Sequence, residues 1–462
     1  MIREFFGDRE FYRIFFNLAV PVTLQYFISA SLNLIDGIMV GQLGATELAA
    51  VGLANQVTFM LLLFLLGVAG GTSIFVAQFW GRRDIQNIRR VLGLGTIISV
   101  TVALVFSLVN ICCGPAIIKI FSDDPEVVAL GGRFLSITSL AYVLMALSAC
   151  YAAALRSTGE VKLPMRANIL AIVTNTGLNF LLIFGNFGLP GLGVTGAAVA
   201  TVIARFLETT ILLLSAYRNR SAVAARFSEM FDIPADLVKN FISSTGTVVA
   251  KDLIWAIGVT VYMVVYARMG TDVVASINII NTVRQLAFVL FNGIAAAAMV
   301  MVGNQIGSGD EAKAFRYAQW FLTLTLLIGV VMGVLLITGS RVILSPYKVS
   351  GAVIQGAKTV LFVTALYMPA IVFNMVAVVG VLRSGGDTMF CLIMDLVAVY
   401  LIGLPLAIVG QAVWKLPVAG VYALITSQEI FKMILCLKRF GSKRWIHNLV
   451  DGLNYHRAVE VK

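Results

Sequence analysis

The stretch Leu155-Arg156-Ser157-Thr158-Gly159 is written a second time as Leu382-Arg383-Ser384-Gly385-Gly386, 227 residues further on. Upstream, the same doubling runs at an offset of 226: Gly44, Gly67, Gly81, Asp84 and Arg90 return as Gly270, Gly293, Gly307, Asp310 and Arg316. Downstream, Pro190 and Gly193-Val194 return as Pro417 and Gly420-Val421. The chain is therefore one unit of roughly 220 residues written twice. A doubled, apolar unit is the form of many secondary transporters, whose substrate path lies between the halves.

The residues around these motifs place both copies in a bilayer. The chain is 59% hydrophobic and 12% charged, with a mean hydropathy of +0.93. Soluble domains carry about 25% charge, and lipid-facing positions account for the shortfall. Long unbroken apolar runs, such as Leu61 to Ile74 and Trp320 to Ile337, exclude the alternating segments of a β-barrel. The reading is an all-α integral membrane protein with twelve spans. The first six are expected at 14–39, 48–79, 91–113, 127–155, 166–187 and 192–217. The second six are expected at 240–267, 273–305, 316–339, 351–382, 388–411 and 416–437. These give an N-lobe over 1–217, a cytoplasmic linker over 218–239, a C-lobe over 240–438 and a basic cytoplasmic tail over 439–462. Six spans per copy is even, so both copies enter the membrane in the same sense. The lobes are then related by a pseudo-two-fold axis along the membrane normal.

Charge sets the orientation. With the N-terminus inside, 24 of the 34 Lys and Arg residues fall on the cytoplasmic side. Seven fall outside: Lys119, Arg133, Arg268, Arg341, Lys348, Lys358 and Lys415. Arg205, Lys251 and Arg284 lie inside spans. Both termini are expected in the cytoplasm, and the net charge of +11 needs no nucleic acid to explain it. No cleavable signal is expected at the N-terminus. The five cysteines lack metal-ligand spacing and read as packed thiols. His447 and His456, in the tail, are the only histidines. Histidine-based metal or proton chemistry is thus absent from the spans.

Ionisable residues inside a span cost about 2.5–3.5 kcal/mol each on insertion scales, so each needs a reason. Asp36 lies near the outer end of span 1, and its repeat mate is Tyr262. A carboxylate confined to one copy is more readily functional than structural. Asn175 and Asn179 share one face of span 5, and Thr201 lies in span 6. These four groups offer hard oxygen ligands for a dehydrated Na+. They equally suit a carboxyl that alternates between protonated and charged. In the second copy, Asp252, Arg284 and Tyr262 are the candidates for a second coupling or substrate site, with Asp252 free to pair with Lys251 or Arg284. Arg205 with Glu208, three apart, reads as a self-neutralising pair, and Asp395 and Glu429 read as structural. Tyr26, Phe27, Tyr142, Tyr151, Tyr262, Tyr266, Phe288, Phe291 and Tyr367 are candidates to line an aromatic cavity for flat organic cations. Pro21, Pro369 and Pro405 interrupt spans 1, 10 and 11. Small residues crowd spans 2, 6 and 8, which favours close helix approach.

Taken together, several stretches resemble the multidrug and toxic compound extrusion (MATE) family. They are Ile35 to Gly44, Leu155 to Gly159, Asn175 to Gly185, Gly193 to Thr201 and Leu382 to Asp387. The resemblance implies a V-shaped pair of six-helix lobes and an antiporter that exports substrates in exchange for sodium ions or protons. It implies an N-lobe cation site at Asp36, Asn175, Asn179 and Thr201. Some relatives carry an acid where this chain has Asn179, and others carry one in span 10, where this chain has Asn374. Asp252 takes the place of an acid that many similar members carry in span 7.

The expected function is export of small, cationic, amphipathic organic compounds, without a cofactor beyond the coupling ion Na+ or H+. The expected setting is the plasma membrane, as a monomer among lipids. A flippase for lipid-linked sugars on a related lobe pair is the alternative, but it calls for a more basic interior. A membrane enzyme calls for a catalytic constellation that no span supplies. No phosphate-binding loop is present to couple ATP directly.

Overall fold

The computed structural model describes residues 7–188, 190–347 and 349–451. Arg3, Lys348, Arg457 and Lys462 of the charge count, and His456, lie outside the described residues. Twelve helices are long and apolar enough to cross a membrane, and no strand occurs among the described residues. They are α1 (Arg9–Gly41), α2 (Ala45–Gly81), α3 (Ile85–Lys119), α4 (Pro125–Ser157), α5 (Lys162–Phe184) and α6 (Val194–Arg218). The second copy supplies α7 (Ala235–Ala267), α8 (Thr271–Gly307), α9 (Glu311–Thr338), α10 (Gly351–Leu382), α11 (Thr388–Val413) and α12 (Val418–Gly441). Each expected span has its helix. Most helices run past the expected ends because polar first and last turns continue the hydrogen-bond ladder beyond the apolar run.

The repeat is visible in backbone geometry. Gly44 and Gly270, at φ 149° and 123°, precede α2 and α8. Asp84 and Asp310 cap α3 and α9, their carboxylates accepting from Asn87 N at 3.1 Å and Lys313 N at 2.9 Å. Such a cap satisfies an amide that would otherwise be orphaned at the helix start. Gly159 and Gly386 both take the left-handed conformation, at φ 89° and 78°.

Pro21 lies inside an unbroken α1. Pro369 is followed by a π-helical segment, Val376–Leu382, and Pro405 sits between two more, Val397–Gly403 and Val409–Val413. A proline frees the carbonyl four residues earlier; for Pro405 that carbonyl is Leu401, inside the wider segment Val397–Gly403.

The chain forms two compact units, Leu24–Val249 and Met1–Thr23 with Ala250–Lys462. In the first, glycines bring helices together. A Cβ on Gly67 would lie 3.0 Å from the Cα of Val249, and one on Gly196 would lie 2.7 Å from the carbonyl carbon of Leu182. The segment after α6 is pinned to α3, where Arg89 meets Glu229 at 2.7 Å and Arg90 meets Asp232. In the second unit, Phe11 of α1 packs edge-on to Phe321 and Trp320 at 4.9 and 5.2 Å. A Cβ on Gly293 would lie 2.8 Å from the carbonyl of Ala19. Beyond α12 the chain stays docked: Trp445 is fully buried, and His447 N donates to Gly385 O at 2.9 Å. The buried thiols are Cys150, Cys391 and Cys436, whereas Cys112 and Cys113 are exposed.

Candidate functional site

Within the first unit, α1 and α5 bring Asp36 and its partners together. Asp36 is half-buried, and Thr176 Oγ1 donates to its Oδ1 at 3.1 Å. Asn179, three residues beyond Thr176 on the same helix face, also hydrogen-bonds to the Asp36 carboxylate. Asn179 Nδ2 donates to Asn175 Oδ1 at 3.3 Å. The residue is only 3% exposed, and its own Oδ1 has no hydrogen-bond partner. A buried carbonyl oxygen without a donor carries a desolvation penalty of about 1–3 kcal/mol, so it marks a place where a donor or a cation belongs. Thr201 lies on α6, which packs along α5, and its hydroxyl donates to Ala197 O of its own helix at 3.0 Å. Asp36, Asn175 and Asn179 thus come together. Thr176 is an addition that the sequence reading passed over.

In the second unit, Asp252 is enclosed by cations. Arg383 Nη2 donates to its Oδ1 at 2.7 Å, and Lys251 Nζ lies 3.2 Å from the same oxygen. The ion pairs continue. Lys251 meets Asp395 at 3.2 Å, Lys432 meets Asp395 at 3.1 Å, and Lys432 meets Glu429 at 3.0 Å. Asn374 Nδ2 closes the series by donating to Glu429 at 2.8 Å. Three cations alternate with three carboxylates, drawn from α7, α11, α12 and the residue that follows α10. Of the two bases offered as partners for Asp252, Lys251 is one. Arg284 is not; it lies over the Phe288 ring at 5.7 Å. Arg383 takes the second place. Lys432 is buried inside α12, its side chain 7% exposed. Tyr262 is buried, its hydroxyl donating to Val399 O at 3.2 Å and Gln428 Oε1 at 3.1 Å.

The aromatic candidates divide. Tyr142, Tyr151, Tyr266 and Phe291 are buried among helices, while Tyr26 and Phe27 are exposed. Arg205 and Glu208 form the expected i,i+3 pair at 2.7 Å, with Asn168 Nδ2 also donating to Glu208 at 3.0 Å.

Comparison with known proteins adds four findings. A family model described as MatE matches residues 21–181 and 247–409. A probable multidrug resistance protein NorM from Rhizobium meliloti is 29% identical over 90% of this chain and 92% of its own. An uncharacterised transporter, YisQ of Bacillus subtilis, is 24% identical over 93% of this chain and 94% of its own. Among solved structures, the outward-facing conformation of a multidrug resistance MATE family transporter of the MOP superfamily superposes with a TM-score of 0.85. It does so at 19% identity, over 96% of this chain and 98% of that one.

Proposed function

The chain belongs to the MatE family, and from that premise we propose that it is a secondary antiporter in the plasma membrane. It exports small, cationic, amphipathic organic compounds, drugs and toxins among them, in exchange for Na+ or H+ by alternating access. The Rhizobium meliloti relative is named for multidrug resistance; the extension to this chain is ours. A transporter family, with two halves repeating one helical plan, also sets aside the membrane-enzyme reading.

One observation carries the coupling site: the buried, donor-free Oδ1 of Asn179 beside a carboxylate that Thr176 and Asn179 hold. Either ion answers that arrangement. Na+ takes oxygen ligands from Asp36, Asn175, Asn179 and Thr201. A proton turns Asp36 from an acceptor into a donor, and Asn179 Oδ1 accepts from it. Both routes neutralise Asp36, and neutralisation drives a rearrangement only if the two states bind the ion with different affinity. The Asp252 network supports assignment of coupling to Asp36 rather than Asp252. Each carboxylate there already has a cation within 3.2 Å, so an incoming Na+ meets compensated charge.

The test is efflux of a fluorescent organic cation from proteoliposomes with sodium and proton gradients imposed one at a time. Efflux driven by one gradient supports the reading, and efflux indifferent to both removes it.

A further inference from the structure

Between α6 and α7 the chain reads Arg226-Phe227-Ser228-Glu229-Met230-Phe231-Asp232. A short helix, Phe227–Phe231, forms there, and the Arg226 amide donates to Glu229 Oε2 at 2.6 Å at its start. Its side chains separate by face. Phe227 and Phe231, one turn apart, stack with ring centroids 6.0 Å apart and planes at 13°. Glu229 lies on the opposite face, where Arg89 of α3 holds it at 2.7 Å, and Asp232 meets Arg90. The rings turn away from these contacts: Phe227 is 79% exposed and Phe231 61%. Of the large apolar side chains between α6 and α7, these two are the exposed ones.

Contact with α3 fixes the depth of this helix. A Cβ on Gly93 would lie 2.7 Å from Met230 Cα, so the two backbones touch. Gly93 belongs to the apolar run of α3 that begins at Val91, whereas Arg89 and Arg90 precede that run. The short helix therefore sits where the hydrocarbon part of α3 ends, at the level of the lipid headgroups. The charge left around the rings is of one sign. Glu229 and Asp232, the acids of the stretch 218–232, are both taken by α3. Arg218, Arg220 and Arg226 are exposed and form no ion pair among the described residues.

We propose that the Phe227–Phe231 helix is an interfacial foot that docks on anionic phospholipid in the leaflet on its own side of the membrane. The two rings enter the boundary between headgroups and acyl chains, and Arg218, Arg220 and Arg226 lie among the phosphates. An apolar face flanked by basic residues is the pattern of helices that lie in the interface plane, and arginine near an anionic surface adds to the attraction. A free peptide of this length would not hold a helix, but the pinning to α3 has already ordered this one. The inference uses the membrane setting alone and is independent of what the protein transports.

The experiment places an environment-sensitive nitrobenzoxadiazole label on Phe231→Cys in the full-length protein, with Cys112→Ala and Cys113→Ala removing the exposed thiols. The protein is held in nanodiscs of phosphatidylcholine, alone or mixed equally with phosphatidylglycerol. The label should emit to the blue of its position in water. Lipids spin-labelled high on the acyl chain should quench it at least about twofold more than lipids labelled at the chain end, as a depth of roughly 5–10 Å implies. Phe227→Cys should behave likewise. Quenching should be stronger with phosphatidylglycerol than without, and Arg218→Gln, Arg220→Gln and Arg226→Gln together should abolish that difference. Raised salt should shrink it in the protein with its arginines intact, which keeps the test valid if the triple variant does not fold. A label quenched by aqueous iodide and not by lipid would leave the rings in water and overturn the proposal. A blue-shifted label that neither quencher reaches would put protein over them, with the same consequence. Lipid quenching indifferent to phosphatidylglycerol would overturn the assignment to anionic lipid.

Discussion

Thr176 shows what a single hydroxyl contributes. It donates to Asp36 at 3.1 Å and so favours the charged carboxylate. Thr176→Val should release one hold on the Asp36 carboxylate and shift the cation concentration for half-maximal efflux by about 2- to 10-fold, the span of one modest hydrogen bond. Thr176→Ser should restore it, and flux against cation concentration reads both. Asp36 was legible in the sequence because a carboxylate in an apolar run, with Tyr262 as its mate, has few bland explanations. Thr176 was not. Most hydroxyls in these helices bond back to the carbonyl four residues earlier, as Thr201, Thr247 and Thr260 do. Nothing in the sequence separates one that points across to a neighbouring helix. Likewise, Asp252 was legible as an oddity, but its partner Arg383 was hidden by its place at a span end, which reads as a cytoplasmic charge.

At the level of elements, apolar runs gave the twelve helices, and repeated Asp84 and Asp310 marked two helix starts. The π-helical segments of α10 and α11 left no trace, because a wider hydrogen-bond register needs no special composition. Glycine density was informative. Gly196 touches the α5 backbone so closely that Gly196→Val should destabilise the α5–α6 pairing by about 1–3 kcal/mol, as overpacking does. The check is a lowered midpoint for thermal unfolding in detergent, and an unchanged midpoint would mean the helices can separate without cost. The ionic series offers a second element-level prediction. Asp395→Asn removes the carboxylate that Lys251 and Lys432 share, with its side chain 5% exposed. Leaving two buried cations underpaired should cost about 3–5 kcal/mol. A small effect would show that these charges reach water.

For the whole molecule, the doubling, the membrane setting and the helix count could all be read from the sequence. Division by chain order at 218–239 does not coincide with the compact units, whose limits fall inside α1 and α7. Those limits depend on which helix each segment packs against, and packing partners are not written in local sequence. Orientation rests on charge counting and has its own test. With Cys112 and Cys113 replaced by Ala, Asp123→Cys should react with an impermeant maleimide on intact cells. Gly441→Cys should react only after permeabilisation, and the reverse pattern would invert the assignment.

The central claim is that coupling resides in the half of the molecule that carries Asp36. It is tested most directly by reconstituting Asp36→Asn and Asp252→Asn beside the unaltered protein and measuring efflux under whichever single cation gradient drives it. The account predicts that Asp36→Asn folds, binds substrate and shows no gradient-driven efflux, whereas Asp252→Asn retains it in proportion to the folded protein recovered. Gradient-driven efflux undiminished in Asp36→Asn, and abolished in well-folded Asp252→Asn, would contradict it.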